Sequence, residues 1–463
     1  MNFTGQLVGN GIANDKTAII IFSLTNMLYV VGVLLSLVTK LSDSRKTNRI
    51  VAFVEHYPPF LGSDRSIFEL AKRVAKKGRR IHFVATQPLR YLVGQRPPDW
   101  EYTKNWEGPV PKTHKNISAK YLLSRKSLLS AWRIFPPLAL LLTLLTFTIS
   151  SIREINRFKP DVIVVAHASP IVGIVGTLAG KLTGRPIVMG CPDWMTAYGA
   201  ELIKGELNAL GRVFLHLIEM TLYKWSDRIF AATTFLKRLL IQHEIEPSKI
   251  TVIPNGVDAR QFNPDVDSSE IKSQYGLMDK SVVIFSGHLE EWAGVSVVYH
   301  LAERLHREVP NARILLVGAG VKLNLLFDRL SENGLSEVVI YAGLHPHEAI
   351  PKFTAASDVA LCIFPDTAVS HAASPLKLFE YMGSGNAIVA TRVAGTAEIL
   401  RDDVGMLVPP GDTDAICDAT IHLFLDSTLR KKLGDHAREL VEQKYSWTLL
   451  ADQFLALCDT TIS

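Results

Sequence analysis

Short apolar, β-rich runs alternate with loop signals and helical patterns along this chain, and that alternation limits the fold more than any other feature. The first series opens at residues 49–55, crosses a loop at 56–65, enters a helical pattern at 66–77 stopped by Gly78, and reaches a second run at 81–86. Residues 159–165 and 186–189 read as further strands on either side of a helix at 171–182. Strand, glycine-containing loop, helix and strand in that order open a doubly wound parallel sheet, whose ligands bind at the carboxyl ends of its strands. A second series begins at 281–286 and continues through 312–317, 338–341 and 359–364, so a second Rossmann-like domain is expected. With 463 residues, 48 % of them hydrophobic, the chain has material for two cores of roughly 200 residues each.

The formal charge of +5 is small for this length and comes partly from clusters near the N-terminus and around residues 112–126. It implies no global field for nucleic acid and favours membrane phosphates as partners. Cys191, Cys362, Cys417 and Cys458 stand far apart, against a zinc site or a disulfide framework and in keeping with a reducing cytosolic setting. Gly318-Ala319-Gly320 spells the start of a dinucleotide fingerprint without its third glycine or its acidic strand end, so no NAD or FAD is expected. Of the two Asp-x-Asp spellings, Asp265-Val266-Asp267 lies between the two series, and Asp412-Thr413-Asp414 follows Pro409-Pro410-Gly411 as a turn with a helix cap would. No metal is expected.

Residues 17–39 run 23 positions without a charge, about 35 Å of helix at ~1.5 Å per residue, enough for one transmembrane anchor. Lys40, Arg45, Lys46 and Arg49 follow it against a lone Asp43, whereas the tail 1–16 carries only Asp15 and Lys16. The positive-inside bias places the tail outside and the body in the cytoplasm, giving a single-pass protein of the cell membrane. A second apolar block, 138–149, follows Pro136-Pro137; at about 12 to 15 residues it is short for a span and suits an interfacial or core helix. Lys112, Lys115, Lys120, Arg125, Lys126, Trp132 and Arg133 nearby suit anionic head groups or an ordinary solvated loop.

The run Ser374-Pro375-Leu376-Lys377-Leu378-Phe379-Glu380-Tyr381-Met382-Gly383-Ser384-Gly385 puts Lys377 and Glu380 on one face of a short helix, ahead of an apolar strand at 386–390. It resembles the nucleotide-sugar site of the retaining glycosyltransferases of family 4. The loop from Pro58-Pro59 to Gly62-Ser63 and the run Pro254-Asn255-Gly256-Val257-Asp258 resemble other segments of the same family, and the likeness covers nearly all of residues 49–460. The resemblance implies an α/β GT-B fold, two Rossmann-like domains facing across a cleft, here with an N-terminal transmembrane helix. It implies that Glu380 accepts hydrogen bonds from the donor ribose hydroxyls and that Lys377 neutralises the diphosphate. Gly62, Ser63, Gly287, His371, Pro375, Gly395 and Thr396 complete the expected donor-binding set.

The chain departs from the family at several places. In Gly287-His288-Leu289-Glu290-Glu291-Trp292-Ala293-Gly294, His288 and Ala293 occupy the positions of two cations that commonly clamp the diphosphate, and Ala372 stands eight residues before Glu380, where the family favours a first Glu. Asp193 follows Pro192 at a strand end where relatives often carry a His-Asp pair; it holds an acceptor hydroxyl or caps the next turn. In the retaining scheme the leaving phosphate helps to deprotonate the attacking hydroxyl, so oriented dipoles and cations matter more than a protein nucleophile. Asp193, Lys377 and His288 are the catalytic candidates.

The expected function is transfer of a sugar from a nucleoside-diphosphate sugar to a glycan or lipid-linked acceptor at a membrane, with no cofactor beyond that substrate. The competing reading is a catalytically silent GT-B subunit that binds a nucleotide sugar or a partner transferase; a sugar-nucleotide epimerase would leave the anchor without a use. The expected layout is a tail at 1–16, an anchor at 17–39, an acceptor domain at 48–264, a linker at 265–280, a nucleotide-sugar domain at 281–440 and a C-terminal helix at 441–463 that returns to the first domain.

Overall fold

The computed structural model describes residues 47–55, 62–86, 115–122, 136–197, 209–289, 294–320 and 323–462. Two compact units result, one drawing on the chain up to Ala232, Leu236–Ile253 and Ala451–Ser463, the other on Thr233–Phe235 and Pro254–Leu450.

In the first unit, strands β1 (Arg49–Val54), β2 (Arg80–Thr86), β3 (Ile117–Leu122), β4 (Val162–Val165), β5 (Ile187–Cys191), β6 (Arg228–Ala231) and β7 (Ile250–Val252) form a parallel sheet in the order β3-β2-β1-β4-β5-β6-β7. The order reverses between β1 and β4, the place where a doubly wound sheet opens its ligand crevice. Helices α1 (Gly62–Lys76), α2 (Pro136–Phe158), α3 (Val172–Leu182) and α4 (Ala209–Trp225) connect these strands. Glycine lets α3 lie close on the sheet: a Cβ at Gly176 would stand 2.8 Å from the Val165 side chain, and one at Gly180 2.8 Å from Ile187. Against α3 packs α2, which buries Leu140, Leu144, Phe147 and Ile155.

In the second unit, β8 (Ser281–His288), β9 (Ala312–Ala319), β10 (Val339–Gly343), β11 (Val359–Cys362), β12 (Ala387–Thr391) and β13 (Met406–Val408) form a parallel sheet in the order β10-β9-β8-β11-β12-β13. Its helices include α5 (Val297–Glu308), α6 (Ala368–Ala372), α7 (Leu376–Gly383), α8 (Ala394–Ala397), α9 (Thr413–Leu425) and α10 (Ser427–Lys444). Alternate residues of β8 feed two cores, Val283 and Phe285 on one face with Leu301 and Leu305 of α5, Val282 and Ile284 on the other with Phe379 and Tyr381 of α7. The final helix, α11 (Trp447–Ile462), has its residues from Ala451 onward in the first unit, where Phe454 packs edge-on against Phe230 at 5.6 Å and Asp459 accepts the Thr47 N–H at 2.7 Å.

Several motifs find a backbone explanation. A Cβ at Gly318 would lie 1.9 Å from the Gly287 carbonyl oxygen, and one at Gly320 1.9 Å from that of Leu289, so Gly318-Ala319-Gly320 lets the ends of β8 and β9 run in contact. In the Pro-Asn-Gly run, Asn255 donates its backbone N–H to the Ser374 hydroxyl and its side-chain amide to the Ser374 carbonyl, while Gly256 presses on the Tyr445 carbonyl. The Asp-x-Asp spellings are turn caps: Asp412 accepts the Ala415 N–H at 2.9 Å and Asp267 that of Ser269 at 3.0 Å. All four cysteines are free and buried.

The expected N-terminal transmembrane helix is corrected here. Residues 17–39 lie outside the described residues, and among those described the one helix long and apolar enough to cross a bilayer is internal, Leu138–Phe158. It belongs to α2, a 23-residue helix rather than a block of about 12 to 15, because the apolar face continues inward past the outward-facing Arg153 and Arg157. Two smaller differences concern loops. Helix α1 begins at Gly62, inside the expected loop, and Lys120, read as part of a basic loop, sits on edge strand β3.

Candidate functional site

At the carboxyl edge of the second sheet, α7 carries the Lys-Glu pair. Ser286, one residue before Gly287, ties this helix to β8: the Tyr381 hydroxyl accepts the Ser286 N–H at 2.9 Å and lies 2.8 Å from the Ser286 hydroxyl, with the Tyr381 ring fully buried. Half-buried Lys377 holds its Nζ 4.5 Å from the Phe285 ring centroid and 5.2 Å from that of Phe364, so two aromatic faces, one within β8 and one just past β11, steady the ammonium. Burial pulls the Lys377 amine below the ordinary lysine range, against the opposing influence of Cys362 and Glu380. Three residues on, Glu380 is 8 % exposed and receives His347 Nε2 on its Oε1 at 2.6 Å.

His371 is engaged at both ring nitrogens. Nδ1 accepts the Ala394 N–H at 3.0 Å, which leaves Nε2 to carry the proton and donate to Asp366 at 2.7 Å. That makes His371, stacked on Phe235, a brace for the turn carrying Gly395 and Thr396. Gly395 lies so close beneath α6 that a Cβ would meet the Ala373 carbonyl oxygen at 1.8 Å, and the buried Thr396 hydroxyl donates to the Thr391 and Val393 carbonyls. Pro375 occupies the N-cap of α7. Gly287, in the left-handed region at φ +104°, and His288 are both exposed at the end of β8; Glu290, Glu291, Trp292 and Ala293 lie outside the described residues.

The carboxyl edge of the first sheet is a separate polar cluster. Gly62 and Ser63 are the first two residues of α1, where backbone N–H groups have no partner within the helix and the helix dipole favours an anion. Glu55, just past β1, accepts the Ser169 hydroxyl at 2.9 Å. Asp193 lies two residues past β5; burial pushes its carboxyl above the ordinary range, and His167 beyond β4 pulls it back down. No side chain fits at Gly190, whose Cβ would stand 2.1 Å from the Ala166 carbonyl oxygen. Among the described residues, no group of three His, Cys, Asp or Glu is placed to hold a metal ion.

Two family models tile the chain: Glycosyltransferase Family 4 matches residues 61–261, and Glycosyl transferases group 1 matches residues 267–440. The chain is a GT-B glycosyltransferase. It is similar to N-acetyl-alpha-D-glucosaminyl L-malate synthase of Bacillus anthracis, 24 % identical over 405 residues that cover 86 % of this chain and 93 % of the other. It is likewise 24 % identical over 350 residues to the GDP-mannose-dependent alpha-(1-6)-phosphatidylinositol monomannoside mannosyltransferase of Mycolicibacterium smegmatis, covering 75 % and 86 % of the two chains. Among solved structures it shares its fold with Anabaena Alr3699/HepE in complex with UDP, at a TM-score of 0.63 and 17 % identity over 88 % of this chain and 98 % of that one.

Three residues at the edges of the glycosyltransferase's sheets escaped the motif reading. His167 and His347 follow strand ends, a position that itself signals ligand contact in such sheets. Glu219 is a carboxylate between Ile218 and Met220 on α4; 1 % exposed, it accepts the Met195 N–H at 3.1 Å, the Thr196 N–H at 2.9 Å and the Thr196 hydroxyl, and so fixes the loop that carries Asp193. Burial pushes Glu219 up to about 7 despite those bonds. A carboxyl raised on folding holds a proton that the unfolded chain releases, so its contribution is full below the unfolded value and disappears as pH rises through the folded one. Urea unfolding is therefore expected to show stability falling between about pH 4.5 and pH 7, by about 3 kcal/mol at most, and Glu219→Gln to flatten that slope. An unchanged slope in the variant would assign the proton elsewhere.

Proposed function

We propose that the enzyme transfers a sugar, with retention of configuration, from a nucleoside-diphosphate sugar to a hydroxyl of a lipid-linked acceptor. The observation that carries this reading is α7, which presents a desolvated ammonium and a carboxylate one turn apart at the carboxyl edge of a parallel sheet. Lys377 neutralises the leaving diphosphate, Glu380 accepts from the ribose, and the turn at Gly395 closes on the donor. Asp193 orients the acceptor hydroxyl, and the departing phosphate oxygen takes its proton. UDP and UDP-glucose in the complexes of Anabaena Alr3699/HepE support a nucleotide-sugar donor.

The acceptor's lipid is inferred from α2. Its outward face bears Leu138, Leu142, Leu145 and Ile149, between 37 % and 50 % exposed and in line at helical spacing, while the opposite face is locked into the first unit. The face holds no acid over this stretch and passes into exposed Arg153 and Arg157; Arg157 and Lys120, exposed on the edge strand, both act on His82, as does the partly exposed Glu154. Leucines over cations suit an anionic bilayer surface. A helix half buried in protein lies on a membrane rather than crossing it.

The test is to give the full chain UDP-, GDP- and ADP-sugars in turn, with and without a membrane lipid extract, and to measure free nucleoside diphosphate. We expect release from one donor class that depends on the extract and yields a glycosylated lipid. Absence of release across all donors would defeat the reading.

A further inference from the structure

Glu380 does not stand alone. His347 opens a short 3-10 turn, His347–Ala349, that follows β10, and its Nε2 lies 2.6 Å from Glu380 Oε1 across 33 positions of sequence. The imidazole is held from behind by Phe262, with ring centroids 5.6 Å apart. Phe262 is itself fixed, because Arg438 of α10 donates to the Phe262, Ala259 and Gly383 carbonyls and so joins its backbone to the end of α7. Gly383 completes the frame, since a Cβ there would stand 3.1 Å from Phe262 Cβ. The pair is thus built into a rigid corner, with the histidine ring a quarter exposed and the carboxylate nearly closed.

From this geometry we infer that His347 is a positioning residue that presets Glu380 for the sugar of the nucleotide. The inference rests on the reading of Glu380 as the ribose ligand and adds a second residue to it. A carboxylate on a flexible stem must be frozen before it can accept from two vicinal hydroxyls, and that ordering opposes binding. Nε2–H donated to Oε1 freezes it in advance, fixing the plane of the carboxylate and leaving Oε2 and the second lone pair of Oε1 for the sugar. Phe262 and Arg438 hold the imidazole in turn, so the donated proton has one direction. Discrimination between ribose and 2′-deoxyribose is then a property of the pair.

Titration calorimetry of the full chain with UDP and with 2′-deoxy-UDP tests this, with the corresponding GDP pair used if GDP binds better. We expect the natural protein to prefer the ribonucleotide by about tenfold or more, His347→Ala to bring the two affinities close together, and His347→Gln, whose amide can still donate to Oε1, to keep most of the preference. Preference lost in Glu380→Gln but kept in His347→Ala overturns the inference and spares the ribose reading. Preference kept in both variants overturns the two together. Equal loss in His347→Ala and His347→Gln makes the histidine a packing residue and also overturns the inference.

Discussion

Lys377→Ala is expected to lower turnover of the nucleotide sugar by about 100- to 1000-fold, the scale of losing one preorganised group aimed at developing charge. The structure gives the reason for so large an effect. The ammonium lies against Phe285 and Phe364, partly stripped of water, and burial already works against its charge. An incoming diphosphate restores what desolvation removed. By the family resemblance His288 and Ala293 stand where two cations are expected, so Lys377 is proposed to carry much of that load. The signature is selective: UDP affinity should fall far more than uridine affinity, and Lys377→Arg should recover only part, because a planar guanidinium does not refill the slot between the rings. Equal losses for nucleoside and nucleoside diphosphate would reduce Lys377 to a structural cation.

Replacing Leu142 and Leu145 together by Asp should abolish binding to anionic vesicles while leaving the fold intact. Both side chains are open, at 37 % and 46 %, so the change puts carboxylates into water rather than into the core. Burying a leucine stabilises by roughly 1.5–3 kcal/mol, and each Asp adds repulsion from the lipid phosphates, so a loss of 100-fold or more is expected for the pair. Sedimentation with vesicles, using a chain shortened to residues 46–463, isolates this helix from the apolar stretch at 17–39. Thr47 and its bond to Asp459 remain in that shortened chain. Binding that survives the double substitution, or that never occurs in the shortened parent, would remove α2 from the membrane. Leu144→Asp is the control for fold, because Leu144 is wholly buried and its replacement should unfold the unit.

What could be read from the sequence was what repeats locally. Strands such as Val162–Val165 and Val359–Cys362 are buried at every position, so they stand out as continuous apolar runs. Edge strand β3 does not: Ile117–Leu122 is buried only at its two ends, and Lys120 made it look like a solvated loop. The end of α2 was hidden in the same way, by Arg153 and Arg157 on its outer face while Ile155 stays inside. At the site, Lys377 and Glu380 share a helix and were visible as a spacing. His347 meets Glu380 only because the turn after β10 folds back onto α7, which no spacing encodes. Glu219 was legible in principle, as a carboxylate within an apolar helical stretch needs a partner, but its partners Met195 and Thr196 lie in another segment.

The four cysteines carry a practical consequence. Burial pushes the thiols of Cys362 and Cys417 up to about 11 and those of Cys191 and Cys458 higher still, so near neutral pH none presents a thiolate to a reagent. The folded molecule is therefore a silent background for maleimide chemistry. A single cysteine introduced at Leu138, Ile149 or the exposed tip of β8 would be the sole reactive thiol, and a fluorophore placed there would report in real time on lipid contact or on arrival of the donor.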